Sequence, residues 1–107
     1  MKPRTSIPRD PDAGASLQAL ARALAGLEQV PELVAFLRDL CTPAELEAMA
    51  DRWRVVPLLL KGVPYREIHD LTGVSVTTIG RVARTLEHGA GGYAAALRGQ
   101  SRLLESH

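Results

Sequence analysis

The sequence predicts an all-α fold, and three observations carry that reading. Apolar residues recur three and four apart along most of the chain. No segment alternates apolar and polar residues with the period of two that a half-buried strand needs. The periodic stretches are bounded by residues that start or stop helices.

The elements follow in order. Residues 1–14, MKPRTSIPRDPDAG, hold three prolines, a glycine and few apolar side chains, and read as a flexible arm. Lys2, Arg4 and Arg9 precede Asp10, the first acid, so the arm is basic. Residues 15–107 read as one helical domain of six helices. Leu17, Leu20, Ala21, Leu24 and Leu27 fall at helical spacing in Ala-rich sequence, which predicts a first helix over about 15–28. Pro31 opens a second, with Leu33, Phe36, Leu37 and Leu40 on one stripe. Thr42-Pro43-Ala44-Glu45 reads as a capping box, with Thr as N-cap and Pro in the first turn. The third helix carries Leu46, Met49, Ala50, Trp53, Val56 and Leu60 and stops at Gly62. Its spacing places Trp53 in a core with Met49, Val56 and Leu60. Pro57 lies within it and is expected to kink it. A short fourth helix runs from Tyr65 to about Leu71 and ends at Gly73; Ser75 caps a fifth that reaches about Leu86. After a break at Gly89, Gly91 and Gly92, a sixth spans about Tyr93 to Leu104.

The fourth and fifth helices, joined by a tight glycine turn, have the outline of a helix-turn-helix over 65–86. Ile68, Val74, Ile79 and Val82 fall where the two helices must bury apolar groups. The outward face of the fifth then offers Ser75, Val76, Thr77, Thr78, Gly80, Arg81 and Arg84, and Arg66 on the fourth is placed to reach a phosphate. From Leu71 to Leu86 there is no acid. Hydroxyls and guanidinium groups without carboxylates suit phosphates and guanine edges in a major groove of double-stranded DNA. Two residues depart from the motif. His69 stands four before Gly73, where a small residue is expected, and Gly80 interrupts the fifth helix, either for close approach to DNA or as a loosening of the helix. Without further support, a plain helical hairpin with a polar surface remains open.

Composition narrows the alternatives. The formal net charge of +1 argues against coating nucleic acid by bulk electrostatics. The longest apolar run, Val55 to Leu60, is far short of the roughly 20 residues a membrane helix needs. No secretory leader is expected, and the single cysteine, Cys41, makes no internal disulfide, so the expected location is cytoplasmic. His69, His88, His107 and Cys41 lack metal-ligand spacing, and no catalytic constellation is present, so neither a metal site nor enzyme chemistry is expected.

The stretch LCTPAELEAMADRWRVVPLLLKGVPYREIHDLTGVSVTTIGRVARTL resembles the Trp repressor family, in particular its YerC/YecD-type branch. The matching features are the L-C-T-P-x-E-x-x-A helix start, D-R-W-R, Y-R-E-I, L-T-G-V-S and T-I-x-R-V-A-R. They run in order over residues 40–86, and G-G-Y follows. The resemblance implies a six-helix fold in an intertwined homodimer, with two helix-turn-helix units on successive major grooves of a palindromic operator. The apolar stripes at Leu17–Leu27 and Leu33–Leu40 independently exceed what so short a monomer hides easily.

The resemblance also implies an amino-acid effector. In the family's namesake a free amino acid binds between the central and recognition helices, flanked by two arginines; the matching residues here are Arg52 and Arg81. Thr42 matches the residue at the helix start, and Thr85 the hydroxyl near the ligand's amino group. Val82 replaces a glycine, which is expected to narrow the slot against an indole. Asp39 and Cys41 replace aliphatic residues. A small amino-acid corepressor such as histidine, tryptophan itself, and no effector at all remain open, as does a structural Arg52 paired with Asp51 or Glu47. The branch's association with amino-acid biosynthesis makes the expected function repression of such an operon. A protein-interaction adaptor that has lost DNA binding is the rival.

Overall fold

A computed structural model describes residues 10–105, with side chains from 12 to 101. All regular structure among them is helical: α1 (Asp10–Ala25), α2 (Val30–Leu40), α3 (Pro43–Leu60), α4 (Tyr65–Thr72), α5 (Val76–His88) and α6 (Gly92–Glu105). The helices fall into two compact units, α1 and α2 up to Thr42 and α3 to α6 from Pro43 onward.

In the first unit, α1 begins at Asp10 rather than near residue 15. Pro11 is tolerated there because a first-turn N–H has no intrahelical partner, and the acid Asp12 favours the positive end of the helix dipole. Residues 10–14 of the expected arm are therefore helical; Lys2, Arg4 and Arg9 lie outside the described residues. The helix ends at Ala25, earlier than its periodicity suggests, and the Gly26 N–H still reaches the Arg22 carbonyl at 3.0 Å. Pro31 sits in the first turn of α2, as its fixed φ allows. At the other end the extended Cys41 donates its N–H to the Leu37 carbonyl at 2.9 Å. Neither helix has a fully buried described side chain, and Leu17 is 67% exposed.

In the second unit, α3, α4 and α5 pack around Val55, Val56, Ile68, Val74, Ile79 and Val82. Five of these six are β-branched residues at essentially zero exposure, and Val74 is nearly so. Burial of each such side chain is worth about 1.5–3 kcal/mol relative to exposure. Trp53, Leu58, Leu59, Val63, Leu86, Tyr93 and Leu97 pack around this centre. Pro57, expected to kink α3, lies exposed in a helix that continues to Leu60, and the Lys61 N–H closes on the Pro57 carbonyl at 3.1 Å.

The end of α3 is built by Gly62, whose φ of 79° places it in the left-handed region. The Val63 N–H reaches the Leu58 carbonyl at 3.1 Å and the Gly62 N–H the Leu59 carbonyl at 3.0 Å. This is a Schellman end, and its usual apolar contact joins Val63 and Leu58 to the same core. Trp53 packs against the core that holds Val56, as its spacing predicts, whereas Met49 and Leu60 are exposed. The indole also meets Tyr93 of α6, ring centres 6.2 Å apart and tilted by 31°. That contact ties α6 to α3.

Ile79→Ala is expected to cost about 2–5 kcal/mol in urea unfolding, through the cavity left among α3, α4 and α5. Gly73→Ala is expected to cost about 1–2 kcal/mol, because α4 ends on Gly73 at φ 78°. A cost near zero for either would contradict this description of the core and turn.

Candidate nucleic-acid interface

Local hydrogen bonds hold the turn between α4 and α5. The Thr72 hydroxyl donates to the Ile68 carbonyl at 2.7 Å and accepts the Val74 N–H at 3.1 Å. The Gly73 N–H closes α4 on the His69 carbonyl at 2.8 Å. His69 Nδ1 lies 2.8 Å from the Val74 carbonyl; a carbonyl only accepts, so Nδ1 carries the proton. The imidazole is exposed and clasps the turn rather than separating the helices, so a small residue at this position is unnecessary. From α3, Arg54 Nη2 donates to the Thr72 carbonyl at the end of α4.

Ser75 starts α5 as its N-cap. Its Oγ accepts the Thr78 N–H at 3.1 Å and donates to Thr78 Oγ1 at 3.0 Å. The Ser75 proton is thus used inside the protein, whereas the Thr78 hydroxyl keeps its own proton to donate. Ile79 and Val82 face the core; Val76, Thr77, Arg81 and Arg84 are exposed, and Thr78 and Gly80 are half-buried. Arg66 is exposed on α4. A Cβ on Gly80 would meet Arg84 Nη1 and Tyr65 Cε2, each at 3.9 Å, which is ordinary contact. Tyr65 and Arg84 are thus the side chains nearest to Gly80. The neighbouring acid, Glu87, pairs with His88 at 3.6 Å in an exposed contact.

Arg81, Arg84, Thr85, His88 and Gly89 line a shallow depression of about 290 Å³ that is open to solvent. Thr85 Oγ1 donates to the Arg81 carbonyl at 3.0 Å, leaving its lone pairs to accept. Gly89 permits the exit from α5, since a Cβ there would lie 2.5 Å from the Thr85 carbonyl.

Of the residues matched to an effector slot, two come together in the second unit. Arg81 and Thr85 line the depression; Arg52 is exposed on α3 and makes no ion pair with Asp51 or Glu47. Asp39 and Thr42 belong to the first unit. Val82 is 1% exposed and packs in the core, as its helical spacing with Ile79 predicts. Among the described residues no group of three or more His, Cys, Asp or Glu side chains could hold a metal ion. No helix among them is long and apolar enough to cross a membrane.

Two contributors escape a reading of the sequence. The contact of Arg54 spans 18 residues, and no local signal announces it. Tyr65 occupies the first position of α4, where it looks like a helix opener, yet its ring is 42% exposed beside Gly80.

A glycine turn, a capped acid-poor second helix and a buried inner face define a helix-turn-helix domain. The chain belongs to the Trp repressor family, a regulatory and DNA-binding family; the family model described as Trp repressor protein matches residues 15–101. The uncharacterized protein YerC of Bacillus subtilis (strain 168) is 37% identical over 84 residues, 78% of this chain and 81% of that protein. A crystal structure of a Trp repressor candidate from Staphylococcus aureus superposes with a TM-score of 0.77 at 32% identity. It covers 90% of this chain and 96% of that one. A TrpR-like protein from Eubacterium eligens ATCC 27750 gives 0.77 at 28% identity, over 86% and 95% of the two chains.

Ser75→Ala is expected to lower stability by about 0.5–2 kcal/mol through loss of the cap. Gly80→Ala, by contrast, is expected to raise it by up to about 1 kcal/mol, as nothing obstructs the added methyl. Thermal unfolding of both variants checks the pair; weaker DNA binding by the stabilised Gly80→Ala protein would place Gly80 against DNA.

Proposed function

We propose that this protein is a sequence-specific transcriptional repressor that binds a palindromic operator as a homodimer, with α5 of each copy in successive major grooves. The observation that carries the reading is the division of α5 into two faces. Ile79 and Val82 are fully buried, which fixes the helix on its core, while Thr77, Arg81 and Arg84 stand exposed on a segment without acids. Arginine forks suit guanine edges and phosphates, hydroxyls suit either, and Val76 offers a methyl surface to thymine. Arg66 adds a phosphate contact from α4. The basic arm around Lys2, Arg4 and Arg9 adds others.

The dimer reading is supported by α1 and α2, which leave Leu17, Val30, Val34 and Leu40 exposed. A second copy whose N-terminal helices interlock with these would cover them. Two-fold symmetry then makes half-sites about one helical turn apart.

The depression at Arg81, Arg84, Thr85 and His88 supports a small amino-acid effector, in keeping with control of an amino-acid biosynthesis operon. Guanidinium groups suit the carboxylate, and the Thr85 lone pairs suit the ammonium. Both histidine and tryptophan are to be tried.

DNA sequences selected by the purified protein from a random duplex pool are expected to be palindromic, and sedimentation is expected to show a dimer. Against a selected duplex at fixed salt, Arg84→Ala and Thr78→Ala are each expected to cost about 1–3 kcal/mol. Unchanged affinity in both, or failure to select any sequence, would sink the groove assignment. Calorimetry with tryptophan and with histidine, with and without the duplex, is expected to give heat and altered DNA affinity for one of them. Silence from both leaves an effector-independent regulator.

A further inference from the structure

Arg54 is exposed on α3, immediately before the two core valines Val55 and Val56, yet its guanidinium reaches across to the Thr72 carbonyl. That carbonyl belongs to the last turn of α4, where the intrahelical ladder has run out. The other hydrogen bonds around the turn, from Thr72, His69 and Gly73, stay within residues 68–74 and hold the turn's own shape. They do not set where the turn sits on α3. The buried contacts of Val55 and Val56 hold it there, but apolar burial is non-directional and tolerates small rotations. A hydrogen bond from a planar, charged donor does not.

The lever arm makes this consequential. With 13 residues, α5 is about 20 Å long, so a 10° rotation at the turn moves its far end by about 3.5 Å. A displacement of that size separates a base-edge hydrogen bond from none, while leaving phosphate attraction nearly intact.

We propose that Arg54 is a positioning residue for sequence discrimination: its bond from α3 to the end of α4 fixes the tilt of α5, so losing it erodes the preference for the operator rather than the general affinity for DNA. The inference rests on the DNA-binding reading above. The competing role for an exposed arginine on this surface is a phosphate contact of its own, and the two differ in what they change.

The experiment first requires the wild-type protein to select a duplex; failure there removes the DNA-binding reading itself and leaves Arg54 aside. Given a selected duplex and a scrambled one, affinities are measured for wild type, Arg54→Met and Arg54→Lys over a range of salt. Arg54→Met keeps the apolar stem without the donor and is expected to lose about tenfold of the selected-over-scrambled preference, with an unchanged salt slope. Arg54→Lys retains a donor and is expected to stay within about threefold of wild type. Equal weakening on both duplexes with a salt slope shallower by about one would identify a phosphate contact and overturn the proposal. So would an unchanged preference in Arg54→Met, or a loss in Arg54→Lys as large as in Arg54→Met. Should Arg54→Met fail to fold, guanidinium NMR of the wild type decides: one set of Nη protons exchanging slowly is expected, and uniformly fast exchange for every arginine overturns it.

Discussion

The second unit depends on one packing event, the meeting of Ile68 and Ile79 with Val55 and Val56 at zero exposure. A short helix such as α4, with eight residues, has too few internal hydrogen bonds to persist alone in water. It exists because Ile68 is buried against α3 and α5. The β-branched side chains at this junction have few rotamers, so little side-chain freedom is lost and the helices meet in a defined register. Every property of the outward face of α5 follows from the inward face being held in this way.

Polar contacts refine what packing begins. The turn sits where the chain reverses between two helices, and its backbone groups are satisfied by side chains close in sequence: Thr72, His69 and Ser75. Such bonds are each worth about 0.5–1.5 kcal/mol net, less than the burial of a single isoleucine. Their value lies in direction. The core decides that the helices pack; the hydrogen bonds decide at what angle.

The fold was largely legible in the sequence. Ile68, Val74, Ile79 and Val82 were identifiable as the inner face because helical spacing brings them to one side, and Gly73 as the turn because only a left-handed residue ends α4 there. The site was legible in part. Thr77, Arg81 and Arg84 fall on the exposed side by the same periodicity. What escaped were the contacts that join distant residues: Arg54 with Thr72, Trp53 with Tyr93, and Tyr65 with Gly80.

The sequence by itself determined that six helices form, which side of each is apolar, and that the stretch between Leu71 and Leu86 carries no negative charge. These are local properties, set by caps, glycines and the 3.6-residue period, and they need no knowledge of neighbours. Only the tertiary structure decided that His69 clasps the turn and that Arg54 links α3 to the end of α4. The physical reason is reach. A long side chain selects its partner from whatever the packed helices bring within a few ångströms, and that neighbourhood is a product of the fold as a whole.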